Sequence, residues 1–235
     1  MKLALCLSGQ PRSYKKAFEF ISKNLLEKYD VDVFLHTWVG DFSKSFVYDG
    51  ICQLYRPVIS SYDYSIPSNV NAHMSVANGS HPANFCTSMF YSINLANEYR
   101  IKHEVFGGFR YDYVIRSRFD FALNKVIDFN SLEKGKIYVP KDVEGPSLLN
   151  DQFAIADSDT MNCYASTLLF LEHHYRNGIV LCGHEMLQSQ LNKFSVPVEK
   201  IDLNHPFVDG NFNRGKHSLI REDMSEWVDI KIWGY

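Results

Sequence analysis

Short apolar runs alternate with amphipathic segments along most of this chain. Residues 3–8 are almost entirely apolar and stop at Gly9, which predicts a buried strand that ends in a turn. Apolar residues then recur at helical spacing over about 14–28, and residues 31–38 are rich in β-branched and aromatic side chains. A strand, a helix and a second strand in this order favour a parallel sheet that is covered by helices.

The later pattern continues in the same manner after a less regular middle. Residues 40–85 have loop composition with one short strand in "YRPVISSYDYS". No internal repeat or linker divides the chain, so we expect a single α/β domain with a mostly parallel sheet. The remaining predicted elements are helices at 86–104, 160–173 (N-capped by Asp159) and 184–193, and strands at 112–120, 136–140, 152–156 and 196–203.

Composition excludes several classes of protein. The 235 residues carry a net charge of −3, without the basic excess of a nucleic-acid-binding domain. The five cysteines are odd in number and widely spaced, which argues against a zinc cluster or a disulfide framework and favours a reducing compartment. The first apolar run is too short for a signal peptide, and no stretch suits an integral membrane segment. We therefore expect a cytoplasmic protein, peripheral at the membrane if its acceptor is lipid-linked.

Charged residues cluster where the strand at 112–120 ends. Arg116, Arg118 and Asp120 are spaced two apart, so a continuous strand would place all three on one face. Ligands of open α/β sheets bind beyond the carboxyl ends of the strands. The arginines suit phosphate oxygens, and the carboxylate suits Mg²⁺ or Mn²⁺. The alternative is an internal ion pair between arginine and aspartate.

A second candidate site follows the first strand, in "LSGQPRSY". Backbone N–H groups around Gly9 and Gln10 can cradle a phosphate, and Arg12 adds charge. The segment lacks the spacing of a P-loop or of the dinucleotide fingerprint, so a plain tight turn is the alternative. His36, Thr37 and Trp38 end the second strand, where we expect contact with a nucleobase or ribose, above all through Thr37; the alternative is that Trp38 only caps the core.

The order of these motifs resembles small glycosyltransferases of the GT-A type, found in polysaccharide and surface-glycan loci of bacteria and large viruses. The resemblance implies a nucleotide-sugar-binding half at about 1–120 and an acceptor-binding half with a C-terminal tail at about 121–235, fused in a single domain over 1–235. The motifs that carry it are, in order, "LCLSGQPRSY", "VDVFLHTW", "YDYVIRSRFDF", "NDQFAIADSDTM" and "GHEMLQSQL".

The resemblance also implies roles for single residues. GT-A enzymes usually carry Asp-x-Asp after a central strand, and Asp120 matches its last member while Arg118 replaces the first. We expect Asp120, with His205 as a further ligand, to hold Mn²⁺ or Mg²⁺ unless a guanidinium neutralises the diphosphate instead. Glu185 is the expected general base with Asp151 as its rival, and a retaining enzyme needs neither.

These expectations point to transfer of a sugar from a nucleotide-diphosphate donor to a hydroxyl of a glycan or lipid-linked glycan acceptor. Two alternatives stay open. A sugar nucleotidyltransferase shares the α/β architecture but tends to open with a longer glycine-rich loop than this one. A non-catalytic protein that binds nucleotides or glycans on a degenerate transferase scaffold would explain the incomplete Asp-x-Asp motif.

Overall fold

A single seven-stranded sheet organises the molecule. The computed structural model describes residues 1–39, 45–64, 71, 73–74, 83–141 and 149–203. The strands lie side by side in the order β3-β2-β1-β4-β6-β5-β7. They are β1 (Leu3–Gly9), β2 (Val31–Trp38), β3 (Ile59–Asp63), β4 (Tyr113–Ser117), β5 (Ile137–Pro140), β6 (Phe153–Ala156) and β7 (Val198–Ile201).

The sheet is parallel except for β6, which runs antiparallel to both of its neighbours. The strand β1 lies between β2 and β4, and its Leu5 is in register with Val33 and Ile115. All three side chains are buried, as expected for central strands of a sheet that is covered on both faces. The expected mostly parallel α/β architecture is confirmed.

Alternation along β1 divides the core into two layers. Leu3, Leu5 and Leu7 face one side and pack with side chains of the first two helices, whereas Ala4 and Cys6 face the other four helices. Burial of both layers is the main source of stability for such a sheet. The helices are α1 (Tyr14–Ile21), α2 (Ser45–Tyr55), α3 (Ala83–Gly107), α4 (Ser158–Ala165), α5 (Thr167–Arg176) and α6 (Gly183–Lys193).

Two helical predictions were wrong in detail. Residues 45–55 form α2, although this segment was expected to be irregular. The single helix expected over 160–173 is two helices that meet at Ser166, and the N-cap is Asp157 rather than Asp159. The Asp157 Oδ1 atom accepts hydrogen bonds from the N–H groups of Asp159 and Thr160, both at 3.0 Å, so the helix begins earlier than expected.

The remaining differences concern element ends and the membrane. The helix α1 is followed by a π-helical turn at Ser22–Leu26, and the longest helix, α3, extends beyond the expected 86–104 at both ends. Within the described ranges, every helix is too short or too polar to cross a bilayer. The C-terminal tail of the expected acceptor-binding half lies, from residue 204 onward, outside the described residues.

Candidate functional site

The strand order creates a topological switch point between β1 and β4. From β1 the chain moves outward to β2 and β3, whereas β4 lies on the opposite side of β1. Ligands of open α/β sheets bind in the crevice beyond the carboxyl ends of the strands at such a point. The segments 8–13 and 117–121 follow the ends of β1 and β4. We call the region between them the switch-point crevice.

The turn after β1 is fixed through both polar groups of Gly9. Its N–H donates to the Ser92 hydroxyl at 2.7 Å, and its carbonyl accepts from the Thr37 hydroxyl at 3.0 Å. Gly9 has a φ of 110°, a conformation that glycine adopts without strain. Gly9 and the fully buried Thr37 thus shape the turn from within. Direct contact of either residue with a donor stays a prediction.

Gln10 and Arg12 lie in the same turn, directly before α1, and both are half-buried. The Gln10 Oε1 atom is buried and accepts no hydrogen bond from any described residue. Buried polar atoms are nearly always satisfied, so this open acceptor is a position for a ligand or water. The first turn of α1 has no acidic residue and carries Lys15 and Lys16, which adds positive charge beside the crevice.

Arg116 is buried beneath the crevice. Its Nε–H donates to the Ser8 hydroxyl at 3.2 Å, and its Nη1 donates to the backbone carbonyl of Asp151. No carboxylate of the described residues lies within ion-pair distance of it, and burial lowers the pKa of its guanidinium. Arg116 therefore ties β4 to β1 and to the loop before β6, and places a buried positive charge under the site.

Arg118 and Asp120 form a two-bond ion pair at the mouth of the crevice. The guanidinium donates from Nε to Asp120 Oδ1 and from Nη2 to Asp120 Oδ2, both at 2.8 Å. Asp120 is 1% exposed, whereas the Arg118 side chain is 24% exposed. Burial acts to lower the pKa of Arg118, but the charge of Asp120, its hydrogen bonds and the charge of Asp151 together outweigh burial and raise that pKa. The charged pair thus presents its arginine, not its aspartate, to solvent.

The predicted common face of the three charged residues was wrong. The strand β4 ends at Ser117, and the chain turns at once, with the Phe121 N–H donating to the Arg118 carbonyl at 3.4 Å. Beyond the strand end, Phe119 and Phe121 are both buried in the same core layer as Ile115, so the turn keeps these aromatic side chains in the core. Arg116 therefore points beneath the crevice while Arg118 and Asp120 lie beyond the strand end.

Asp151 faces the crevice from the loop before β6 and lies against the start of α6. A Cβ atom on Gly183 would lie 2.3 Å from Asp151 Oδ2, so only glycine permits this approach. The Asp151 charge also acts on both Arg116 and Arg118, which places the three residues in one electrostatic neighbourhood. Gly183 was not singled out from the sequence, where its sole signal is its position just before an amphipathic helix.

Glu185 lies in the first turn of α6, two residues beyond Gly183, with an exposed side chain. Asp151, which lies against Gly183, and Glu185 are therefore both close to the N-terminal end of α6. A carboxylate in the first helical turn also interacts favourably with the helix dipole, whatever its other role. The assignment of the base to Glu185 or to Asp151 stays a prediction.

The metal prediction has an incomplete set of ligands. Both oxygens of Asp120 accept hydrogen bonds from Arg118. No group of three or more His, Cys, Asp or Glu side chains in the described part of the chain is arranged to hold a metal ion. His205, the second predicted ligand, lies outside the described residues. The described donors therefore do not fit a divalent ion by themselves, since a cation at Asp120 would have to displace a guanidinium.

A second polar cluster lies at the carboxyl ends of β2 and β3. His36 is fully buried between the Ser92 hydroxyl, 2.8 Å from its Nδ1, and Asp63 Oδ2, 3.2 Å from its Nε2. The Tyr91 hydroxyl donates to the same Asp63 oxygen at 3.1 Å. Burial lowers the pKa of His36 to about 4, although Asp63 acts in the opposite direction. His36 is therefore neutral near pH 7 and donates to Asp63, which can only accept.

The exposed face of this cluster is the Asp63 carboxylate. Its side chain is 48% exposed, and the hydrogen bonds from His36 and Tyr91 both use Oδ2. The other oxygen, Oδ1, faces no donor among the described residues. Asp63 and Ser92 were missed in the sequence, because Asp63 ends a short strand inside a segment of loop composition.

Comparisons with known proteins give a family without an assigned activity. A family model described as "Domain of unknown function (DUF7796)" matches residues 1–209. No curated protein matches the chain. Among solved structures, the chain is similar to a crystal structure of a glycosyltransferase involved in the glycosylation of the major capsid of PBCV-1, with a TM-score of 0.43 and 11% sequence identity. The match covers 86% of this chain and 83% of that one.

Proposed function

The chain belongs to the family described as a domain of unknown function, DUF7796, and we propose that it is a glycosyltransferase of the GT-A type. It transfers a sugar from a nucleotide-diphosphate donor to a hydroxyl group of a glycan or glycolipid. The observation that carries the proposal is the switch-point crevice, where Arg118 is presented to solvent above the buried Arg116. A ligand with a compact double negative charge suits two arginines at the carboxyl ends of parallel strands.

The proposed donor lies across the ends of four neighbouring strands, β4, β1, β2 and β3. Its diphosphate sits between Arg118 and the start of α1, where Gln10 offers an open acceptor to a donor hydroxyl or a bridging water. Its nucleoside extends over β2 and β3, where the free oxygen of Asp63 accepts from a ribose hydroxyl or a base N–H. The sugar then points towards Asp151 and the start of α6.

The proposed reaction displaces the nucleoside diphosphate from the anomeric carbon. The acceptor oxygen forms a bond to that carbon, the bond from carbon to the phosphate oxygen breaks, and its electron pair leaves on the diphosphate. The arginines stabilise this developing negative charge. For an inverting reaction, Glu185 takes the hydroxyl proton, while Asp151 orients the sugar beside α6.

Separate variants distinguish these two carboxylates. Glu185→Gln should reduce turnover by a factor of about 100 to 10,000 and leave donor affinity unchanged, since a general base acts in the chemical step. Asp151→Asn should change donor affinity as well, and it should strengthen binding of the diphosphate, because it removes a negative charge that offsets both arginines. Glu199→Gln, at an exposed position on β7, is the matched control. Unchanged turnover in Glu185→Gln would remove that residue from the mechanism.

A thermal-shift panel tests the donor class first. UDP, GDP, CMP and dTDP and their sugars are added separately, each with and without Mn²⁺. A ligand that binds only the folded protein raises its stability by about 2.7 kcal/mol at a concentration of 100 Kd. We expect one nucleotide to raise the melting temperature, and no shift with any nucleotide would overturn the proposal.

Product analysis separates the alternatives once a nucleotide binds. A sugar nucleotidyltransferase would form a nucleotide sugar and pyrophosphate from a nucleoside triphosphate and a sugar phosphate. A non-catalytic binding protein would show the thermal shift without releasing nucleoside diphosphate from any donor. The proposed glycosyltransferase consumes the nucleotide sugar and releases the nucleoside diphosphate.

A further inference from the structure

The Arg118–Asp120 pair has a geometry that assigns different tasks to its two members. Asp120 binds the side of the guanidinium formed by Nε and Nη2. A guanidinium has five N–H groups, of which this contact uses two. The edge formed by Nη1 and the second Nη2 hydrogen is left, and no described residue accepts a hydrogen bond from Nη1. That edge matches the spacing of two phosphate oxygens.

We propose that Arg118, held in place by Asp120, is the fixed cation that binds the diphosphate, and that this chain binds its donor without a divalent metal ion. The inference rests on the proposed function, because it concerns the diphosphate of that donor. Asp120 is a positioning residue in this arrangement. Its two hydrogen bonds orient the guanidinium, and its burial keeps it away from the phosphates.

Three features around the pair support this assignment. Arg118 is anchored through its backbone as well, since its N–H donates to the Gln152 carbonyl at 3.1 Å. The Gln152 Oε1 atom is buried and accepts no hydrogen bond from a described residue, so the segment that anchors the Arg118 backbone carries an unsatisfied acceptor. Arg116 adds a second, buried positive charge beneath, partly offset by Asp151. The crevice is therefore prepared for an anionic ligand that also carries donor groups.

A metal ion at the same place would require a different arrangement. Both Asp120 oxygens would have to exchange Arg118 for the ion, and the half-buried Arg118 would then lose its compensating charge. Exchange of this kind is unfavourable unless further ligands join. The described part of the chain supplies no group of three suitable side chains. The arginine and the metal are therefore competing partners for one carboxylate.

Calorimetric titration separates the two models. UDP, GDP, CDP and dTDP are titrated into the full chain, in EDTA and in Mn²⁺, and the nucleoside of the binding partner is titrated in parallel. The variants are Arg118→Met, Arg118→Lys and Asp120→Asn. Arg176→Met is the matched control, because its exposed guanidinium pairs with Glu172 away from the crevice. Circular dichroism confirms that each variant is folded.

We expect the wild-type protein to bind one nucleoside diphosphate with the same affinity, within about twofold, in EDTA and in Mn²⁺. Arg118→Met should weaken diphosphate binding by about 10- to 100-fold and leave binding of the nucleoside unchanged. Arg118→Lys keeps the charge but loses the fork, so we expect an intermediate loss. Asp120→Asn should weaken binding of the nucleoside diphosphate by a smaller factor and leave binding of the nucleoside unchanged. A general loss of structure would weaken both.

Two results would overturn the inference. If binding requires Mn²⁺, persists in Arg118→Met and is abolished by Asp120→Asn, the carboxylate holds a metal and the glycosyltransferase proposal still stands. If no nucleoside diphosphate binds in either condition, the proposed function fails and takes the inference with it. If Arg118→Met does not fold, Arg118→Lys decides the matter, because wild-type affinity in that variant would contradict a two-oxygen contact.

Discussion

Acidification is expected to weaken the fold through His36. This side chain is fully buried at the end of β2, and burial lowers its pKa from 6.5 to about 4 despite the neighbouring Asp63. Between these two pKa values the unfolded chain binds a proton that the folded protein does not. Stability contributed by neutral His36 is therefore present above pH 6.5 and is lost as the pH falls towards 4.

The magnitude follows from the two pKa values. The pKa of His36 is 6.5 in the unfolded chain and about 4 in the folded protein. Protonation of the unfolded chain therefore lowers the free energy of unfolding by roughly 2 kcal/mol between pH 7 and pH 5. The full loss, reached below pH 4, is on the order of 3 kcal/mol. His174 also has a pKa lowered by burial and acts in the same direction.

Urea unfolding at pH 7 and at pH 5 measures this effect in the wild type and in His36→Gln. The variant keeps a polar side chain at the position but does not titrate, while His174 contributes equally to both proteins. We expect the wild type to lose about 2 kcal/mol more than the variant between the two pH values. An equal loss in both proteins would show that His36 is not held neutral between Ser92 and Asp63.

Two further predictions concern opposite ends of the paired strands β4 and β6. Gly183→Ala would bring a methyl group to 2.3 Å from the present position of Asp151 Oδ2, so the carboxylate must shift; we expect turnover to fall with little change in helix content by circular dichroism, and full activity would show that the position of Asp151 against α6 does not matter for turnover. Glu104→Gln removes the charge that pairs with buried Arg100 at 2.7 Å, so chemical denaturation should show a loss of roughly 3–5 kcal/mol with unchanged nucleotide affinity. A loss below about 1 kcal/mol would show that the pair is not essential to the packing of α3.

The central strands were predictable because each is an apolar run with a clear end. The strands β1 and β2 have bounds within a residue of those expected, and they are the strands that bring Gly9 and Thr37 to the crevice. Strong local patterns of this kind agree with the tertiary environment, since central parallel strands are buried on both faces.

The helix α2 was missed because it contains Gly50, and glycine is typical of loops. Val47, Ile51 and Tyr55 are buried at helical spacing, but Gly50 interrupts the pattern. A Cβ atom at Gly50 would lie 2.3 Å from the Tyr14 hydroxyl, so this glycine permits close packing of α2 on α1. The glycine at this position is thus explained by a contact between two helices that are distant in sequence, and a local sequence pattern does not indicate such a contact.

Most residues of the candidate site could be named from the sequence, but the contacts between them could not. The spacing was compatible with two readings of Arg118 and Asp120, a site for a ligand or metal and an internal ion pair. The ion pair itself depends on the turn after Ser117, which the spacing does not show. Asp63 is hydrogen-bonded to His36 and Tyr91, which are distant from it in the sequence. The residues next to Asp63 in the sequence therefore do not indicate its place in the site.

Release of nucleoside diphosphate from nucleotide sugars tests the central claim most directly. Each donor of the panel is incubated with the wild type and with Arg118→Met, and the released nucleoside diphosphate is quantified with and without glycan acceptors. We predict that the wild type turns over one donor faster in the presence of an acceptor, and that Arg118→Met reduces this rate by at least about 10-fold. Release that never exceeds the uncatalysed background, from folded protein and with every donor, would contradict the account.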